Sequence, residues 1–99
     1  MLADMAMDIE ASKLLIYEAV WLTQKIGRSP LKEAAMAKLY ASEAAHRVCH
    51  KALQIFGGYG YTKDFPVERY YRDQRLLEIY EGTSEMQRWT IARQITGLK

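Results

Sequence analysis

Ile79-Tyr80-Glu81-Gly82-Thr83-Ser84 sets one carboxylate between an aromatic residue and a glycine, just ahead of a helix start. This is a setting for a general base. An aromatic neighbour that excludes water raises a carboxyl pKa by desolvation, toward the range where a base works near neutral pH. Gly82 would let a substrate approach the backbone. The free N–H groups of the following helix, near Ser84 to Gln87, could hold an anionic group. The same acid could instead only complement the helix dipole, and the local residues leave both readings open. A second constellation, His46, Cys49 and His50, takes positions i, i+3 and i+4 on one helix face, a spacing able to bind a metal. No further Cys or His cluster completes a four-ligand set, so the expectation is a helix face and no metal. Gly57-Gly58-Tyr59-Gly60 allows positive φ and close backbone approach. It follows a helix, where the dipole does not favour phosphate, so it reads first as a terminator.

The elements that must position these residues are helices. Residues 2–26 form one run, with Met5, Ile9, Ser12, Leu15, Ile16, Ala19 and Leu22 on a stripe and Asp4, Asp8, Lys13 and Lys25 away from it. Met7, Tyr17, Val20 and Trp21 make this helix apolar around much of its circumference, which predicts the central helix of a bundle. Gly27 suits the left-handed C′ position, and Ser29 is placed to cap a second helix with Pro30 as its first residue. That helix runs to about Phe56. Its stripe is Leu31, Ala35, Leu39, Ser42, Ala45, His46, Cys49 and Leu53, and the short connection makes it an antiparallel neighbour. A third helix spans Val67 to about Glu78, its charges forming i,i+4 pairs such as Glu68–Arg72. Ser84 with Gln87 reads as a capping box for a last helix, Glu85 to Thr96, with Met86, Trp89, Thr90 and Arg93 on its stripe and Gly97 as the stop. The fold class is all-α: an antiparallel bundle of two long and two short helices.

Ninety-nine residues allow one domain with a modest core. A net charge of +2 is too weak to imply nucleic acid. No apolar run approaches the roughly 18 residues of a membrane span. The single cysteine excludes an internal disulfide and fits a reducing compartment, the cytoplasm or a mitochondrial matrix. A helical pattern already running at Leu2, with no cap ahead of it, is expected of a piece of a longer chain.

Several stretches, in order and without an obvious insertion, carry a family resemblance. They are Ala52-Leu53-Gln54-Ile55-Phe56-Gly57-Gly58-Tyr59-Gly60-Tyr61, Phe65-Pro66-Val67-Glu68-Arg69, Tyr71-Arg72-Asp73, Ile79 through Arg88, and Ile91-Ala92-Arg93. Together they closely resemble the C-terminal part of acyl-CoA dehydrogenases. The resemblance implies that residues 1–99 are part of the C-terminal helical domain of an FAD enzyme that oxidises acyl-CoA to 2-enoyl-CoA. Its N-terminal helical domain, its middle β domain and its bundle's first helix have no counterpart here. Glu81 resembles the base that removes the α proton while the β hydrogen leaves as hydride to the flavin. Gly82 and Tyr80 are the implied substrate contacts. Gln54, Ile55, Phe56, Gly57 and Gly58 resemble a stretch that reaches the FAD of a neighbouring subunit, and Thr83, Ser84 and Glu85 a second FAD contact. The implied partners are acyl-CoA, an electron-transferring flavoprotein and further copies of the chain, as a dimer or tetramer. This piece by itself is expected to be inactive. The alternative is a stand-alone helical module that self-associates without catalysis.

Overall fold

The computed structural model describes residues 1–98, and among them the architecture is wholly helical. Helix α1 covers Leu2–Ile26 and α2 covers Leu31–Phe56. A 3₁₀ segment, Gly57–Tyr61, leads to α3, Val67–Gln74, which continues as a second 3₁₀ segment, Arg75–Glu78. Helix α4 covers Ser84–Thr96. Gly27 ends α1 with φ 75°, its N–H donating to Thr23 O at 3.0 Å, and Gly97 ends α4 with φ 72°. Both are left-handed stops that glycine adopts without Cβ strain.

Two caps lie one residue from where the sequence pattern puts them. Pro30, not Ser29, occupies the N-cap of α2, and no side chain caps that end. The buried proline takes extended backbone (φ −79°, ψ 100°), so Leu31 is the first helical residue. At α4 the cap is Thr83, with extended backbone and its hydroxyl accepting from Met86 N at 3.2 Å. Ser84 is thereby the first helical residue, and Gln87 is released from the expected capping box.

Helix α2 is the centre of the bundle, with α1, α3 and α4 all packed on it. The pattern had assigned that place to α1. Helix α1 instead has no buried residue and leaves Leu2, Met7, Leu14, Tyr17 and Trp21 more than half exposed. The reason is side-chain size. Ala35, Ala37, Ser42 and Ala44 of α2 are buried, and small residues let three helices approach one axis. No large side chain is fully buried among the described residues. On α4 likewise, Met86 and Trp89 of the expected stripe point outward at 51% and 52% exposure, while Ser84 is buried.

Asp8, expected on the polar side of α1, lies against α2. Its carboxylate accepts from Arg47 Nε and Nη2, each at 2.9 Å, and from Tyr40 Oη at 3.0 Å. The Arg47 hydrogen bond holds the carboxyl below its ordinary value, against an opposing push from burial. Because the folded-state pKa is depressed, this contribution is present above the unfolded value of about 3.8 and is lost as pH falls through the folded value. Asp8→Asn is expected to cost about 1–2 kcal/mol at pH 7, below the full worth of a bidentate charged pair because Arg47 is 40% exposed. Urea denaturation should show the deficit at pH 7 and its disappearance well below pH ~4.

Candidate functional site

The segment after α3 tightens from α to 3₁₀ geometry, and Ile79 N and Tyr80 N both donate back to Leu76 O, at 3.0 and 3.1 Å. The chain then reverses through two consecutive residues of positive φ, Glu81 at 53° and Gly82 at 97°. Gly82 suits this conformation. Glu81 is the one non-glycine residue with positive φ among those described, a conformation that costs an L-residue roughly 1–2 kcal/mol. Thr83 returns to extended backbone and caps α4.

Two side chains hold the turn from beneath. Lys38 Nζ, from α2, donates to Gly82 O at 2.6 Å. Gln87 Nε2, from α4, donates to Glu81 O at 3.3 Å and to Gly82 O at 3.4 Å. A Cβ built on Gly82 would meet only the mobile end of the Gln87 side chain, so it is the positive φ that requires glycine here, and a larger residue would also displace the Gln87 amide from the turn. Neither Lys38 nor Gln87 stood out as a site residue in the sequence. The available signal was Lys38 itself, a long charged side chain among Ala34, Ala37 and Ala41 on the face of α2 that carries small residues.

Glu81 and Tyr80 stand at the rim of an open, mostly apolar groove of about 500 Å³ between α1 and α2. Ile16, Ala19 and Val20 line one wall, Ala37 and Ala41 the other, and Leu77 the end under Tyr80. The aromatic flank does not bury the carboxylate in this chain: Glu81 is exposed and Tyr80 is 46% exposed.

The remaining candidates are placed apart. Gln54, Ile55, Phe56, Gly57 and Gly58 are all exposed at the far end of α2. They begin 54 − 38 = 16 residues beyond Lys38, about 24 Å along the helix. No atom lies within 4 Å of a Cβ built on Gly57 or Gly58, so this stretch presents bare backbone. Around α4, Thr83's hydroxyl is engaged as the cap, Glu85 is exposed, and Ser84 is buried with its Oγ unpartnered.

His46, Cys49 and His50 do not converge. His46 Nδ1 shares a 3.0 Å hydrogen bond with Gln74 Nε2, and His50 lies against the Tyr71 ring, centroids 6.1 Å apart. Among the described residues no three His, Cys, Asp or Glu side chains gather as a metal site. Burial pushes the Cys49 thiol up, away from the thiolate form a nucleophile needs. In the native protein Cys49 is therefore expected to react with a thiol reagent such as DTNB many-fold more slowly than in urea, read as the rate of thionitrobenzoate release.

The fold and the turn define a helical domain that presents one conformationally constrained carboxylate over an apolar groove. The chain matches the family model described as acyl-CoA dehydrogenase, C-terminal domain, over residues 1–96, and it belongs to that family. Dehydrogenases are oxidoreductases, and a solved FAD complex of PigA shares the fold with a TM-score of 0.88 at 30% identity, over 95% of this chain and 24% of that one, in line with the FAD enzyme that the sequence resemblance implied. The mitochondrial short-chain specific acyl-CoA dehydrogenase of Bos taurus is 56% identical over 92 residues, covering 92% of this chain and 22% of that protein. The caffeyl-CoA reductase-Etf complex subunit CarC of Acetobacterium woodii is 53% identical over 93% of this chain and 24% of its own length. Among solved structures, butyryl-CoA dehydrogenase from Megasphaera elsdenii superimposes with a TM-score of 0.90 at 44% identity, over 96% of this chain and 24% of that one. The chain thus spans about a quarter of the length of the relatives it matches. No helix among the described residues is long and apolar enough to cross a membrane.

Proposed function

We propose that residues 1–99 serve as the C-terminal helical domain of an FAD-dependent acyl-CoA dehydrogenase that oxidises acyl-CoA to 2-enoyl-CoA. The observation that carries this reading is Glu81, held at positive φ on the rim of the apolar groove in a chain of this family. A carboxylate oxygen of Glu81 takes the α proton of the thioester. Gly82 admits the substrate to the backbone, and Tyr80 flanks it with aromatic surface. FAD, when bound, supplies the hydride acceptor for the β hydrogen.

The bare backbone at Gly57 and Gly58, within the exposed stretch Gln54–Gly58, fits close approach of a cofactor. Its distance from the Glu81 turn supports the reading that it serves the FAD of a neighbouring copy. Thr83, Ser84 and Glu85 would hold FAD at the start of α4, with Glu85 offering the free side chain. The partners are acyl-CoA, an electron-transferring flavoprotein and further copies in a dimer or tetramer, in a reducing cytoplasm or mitochondrial matrix.

The test is spectroscopic. The complete enzyme should purify yellow, and butyryl-CoA added without oxygen should bleach its flavin band. A complete enzyme that carries flavin and bleaches with no acyl-CoA, whatever its chain length, would refute the reading. The 99-residue chain alone is expected to be colourless and to reduce no dye with butyryl-CoA.

A second reading, a self-associating helical module, draws on α1, whose outer face leaves several large apolar side chains exposed. Sedimentation of the 99-residue chain across a concentration series tests this second reading. A monomer at the highest concentration removes the second reading.

A further inference from the structure

Glu81 holds an unfavourable backbone conformation, and the structure shows what holds it there. Upstream, Tyr80 N–H is tied to Leu76 O at 3.1 Å. Downstream, the carbonyls of Glu81 and Gly82 both turn toward side-chain donors from α2 and α4. Lys38 Nζ reaches Gly82 O at 2.6 Å, and Gln87 Nε2 lies 3.3 and 3.4 Å from Glu81 O and Gly82 O. The Lys38 bond is charge-assisted and part-buried, which makes it the stronger of the contacts. Two consecutive peptide planes are fixed in this way. In a trans peptide the N–H lies opposite its carbonyl, so the Gly82 and Thr83 amides face away from the clamp. Glu81 Cα sits between the two anchored segments, which sets the direction of its Cα–Cβ bond.

The geometry points to Lys38 and Gln87 as positioning residues for the Glu81 carboxylate. Their part is to hold the turn, and through it the base, without touching substrate. The donors come from two different helices, so the orientation of Glu81 depends on the docking of α4 against α2. Arg88 of α4 reinforces that docking through Glu43 of α2, Nη2 to Oε1 at 2.7 Å. This inference rests on the assignment of Glu81 as the base.

The test uses the complete, flavin-loaded enzyme. Lys38→Met removes the charged donor and keeps the length of the side chain. The expected result is a fall in kcat of roughly 10–100-fold, the scale on which a displaced reacting group loses rate. KM should move far less than kcat, because Lys38, although it lines the groove, has its ammonium committed to Gly82 O and Met keeps the apolar stem. Flavin content and Tm should stay near wild type, and Lys38→Arg, which keeps a charged donor, should recover most of kcat. Gln87→Leu should lower kcat in the same sense, and the double variant should lose less than the product of the two, because both act on one turn.

Wild-type kcat in both Lys38→Met and Gln87→Leu overturns the inference. So does a loss of kcat that merely tracks loss of flavin and Tm. Glu81→Gln keeps the two readings apart. If it is inactive while Lys38→Met is fully active, the positioning role alone fails. If it turns over normally, the assignment of the base fails.

Discussion

Glu81→Gln in the complete enzyme is expected to lower kcat by at least roughly 10²–10⁴-fold, the contribution typical of a positioned general base. Flavin content should not change. The amide has the shape of the carboxylate but cannot take the α proton at its oxygen. Among the described residues Glu81 is the one carboxylate that lines the groove, whose other polar side chains are Lys38, Ser42 and Tyr80. Steady-state kinetics with butyryl-CoA checks the loss, and the flavin absorbance ratio checks the fold. Retained turnover would remove Glu81 from the role.

Glu81→Gly sharpens this result, because it separates catalysis from stability. Glycine relieves the roughly 1–2 kcal/mol of left-handed strain at φ 53°. It returns roughly 0.5–1 kcal/mol through its larger unfolded-state entropy. The variant should therefore be at least as stable as wild type and equally inactive, the pattern of a residue kept for chemistry at a cost in stability.

Gly60→Ala is expected to have the largest effect on stability. Gly60 is buried in the 3₁₀ segment after α2. A Cβ there would lie 2.8 Å from Phe56 Cβ, 2.9 Å from Leu53 O and 3.3 Å from Val67 Cγ1. The two nearest atoms belong to, or sit next to, the last turns of α2 and cannot rotate away. The alanine must push α2 and α3 apart, a form of overpacking that costs about 1–3 kcal/mol. Because Leu53 adjoins and Phe56 belongs to the exposed stretch Gln54–Gly58, flavin retention in the complete enzyme should fall with stability. Gly58→Ala is the control for stability, since nothing lies within 4 Å of its built Cβ and its φ is not positive. Urea denaturation monitored by circular dichroism should show a lower midpoint for Gly60→Ala and an unchanged one for Gly58→Ala.

The helices, their order and the position of the Glu81 turn were legible in the sequence, because each rests on local physics. Three-to-four spacing of apolar residues sets the spans, and glycine at 27 and 97 takes a left-handed stop wherever it sits. The caps were legible only to within one residue. Whether Thr83 or Ser84 is the N-cap depends on which of them has extended backbone, and the preceding turn imposes that.

What tertiary structure decided are the questions a helical wheel cannot answer. An apolar circumference on α1 says that it wants neighbours, but the small residues of α2 determine which helix the others surround. Asp8 looks like a surface acid until Arg47 and Tyr40, more than thirty residues away, enclose it. Gln87 looks like half of a capping box until Thr83 takes the cap and frees its amide for the turn. Glu81 was visible as a carboxylate beside a glycine. Its left-handed backbone was not, because Lys38, 44 residues distant, supplies the bond to Gly82 O that holds the turn. Residue type and local spacing thus determined the helices and the carboxylate. Only contacts between helices, set by side-chain size and by where each donor can reach, decided how that carboxylate is held.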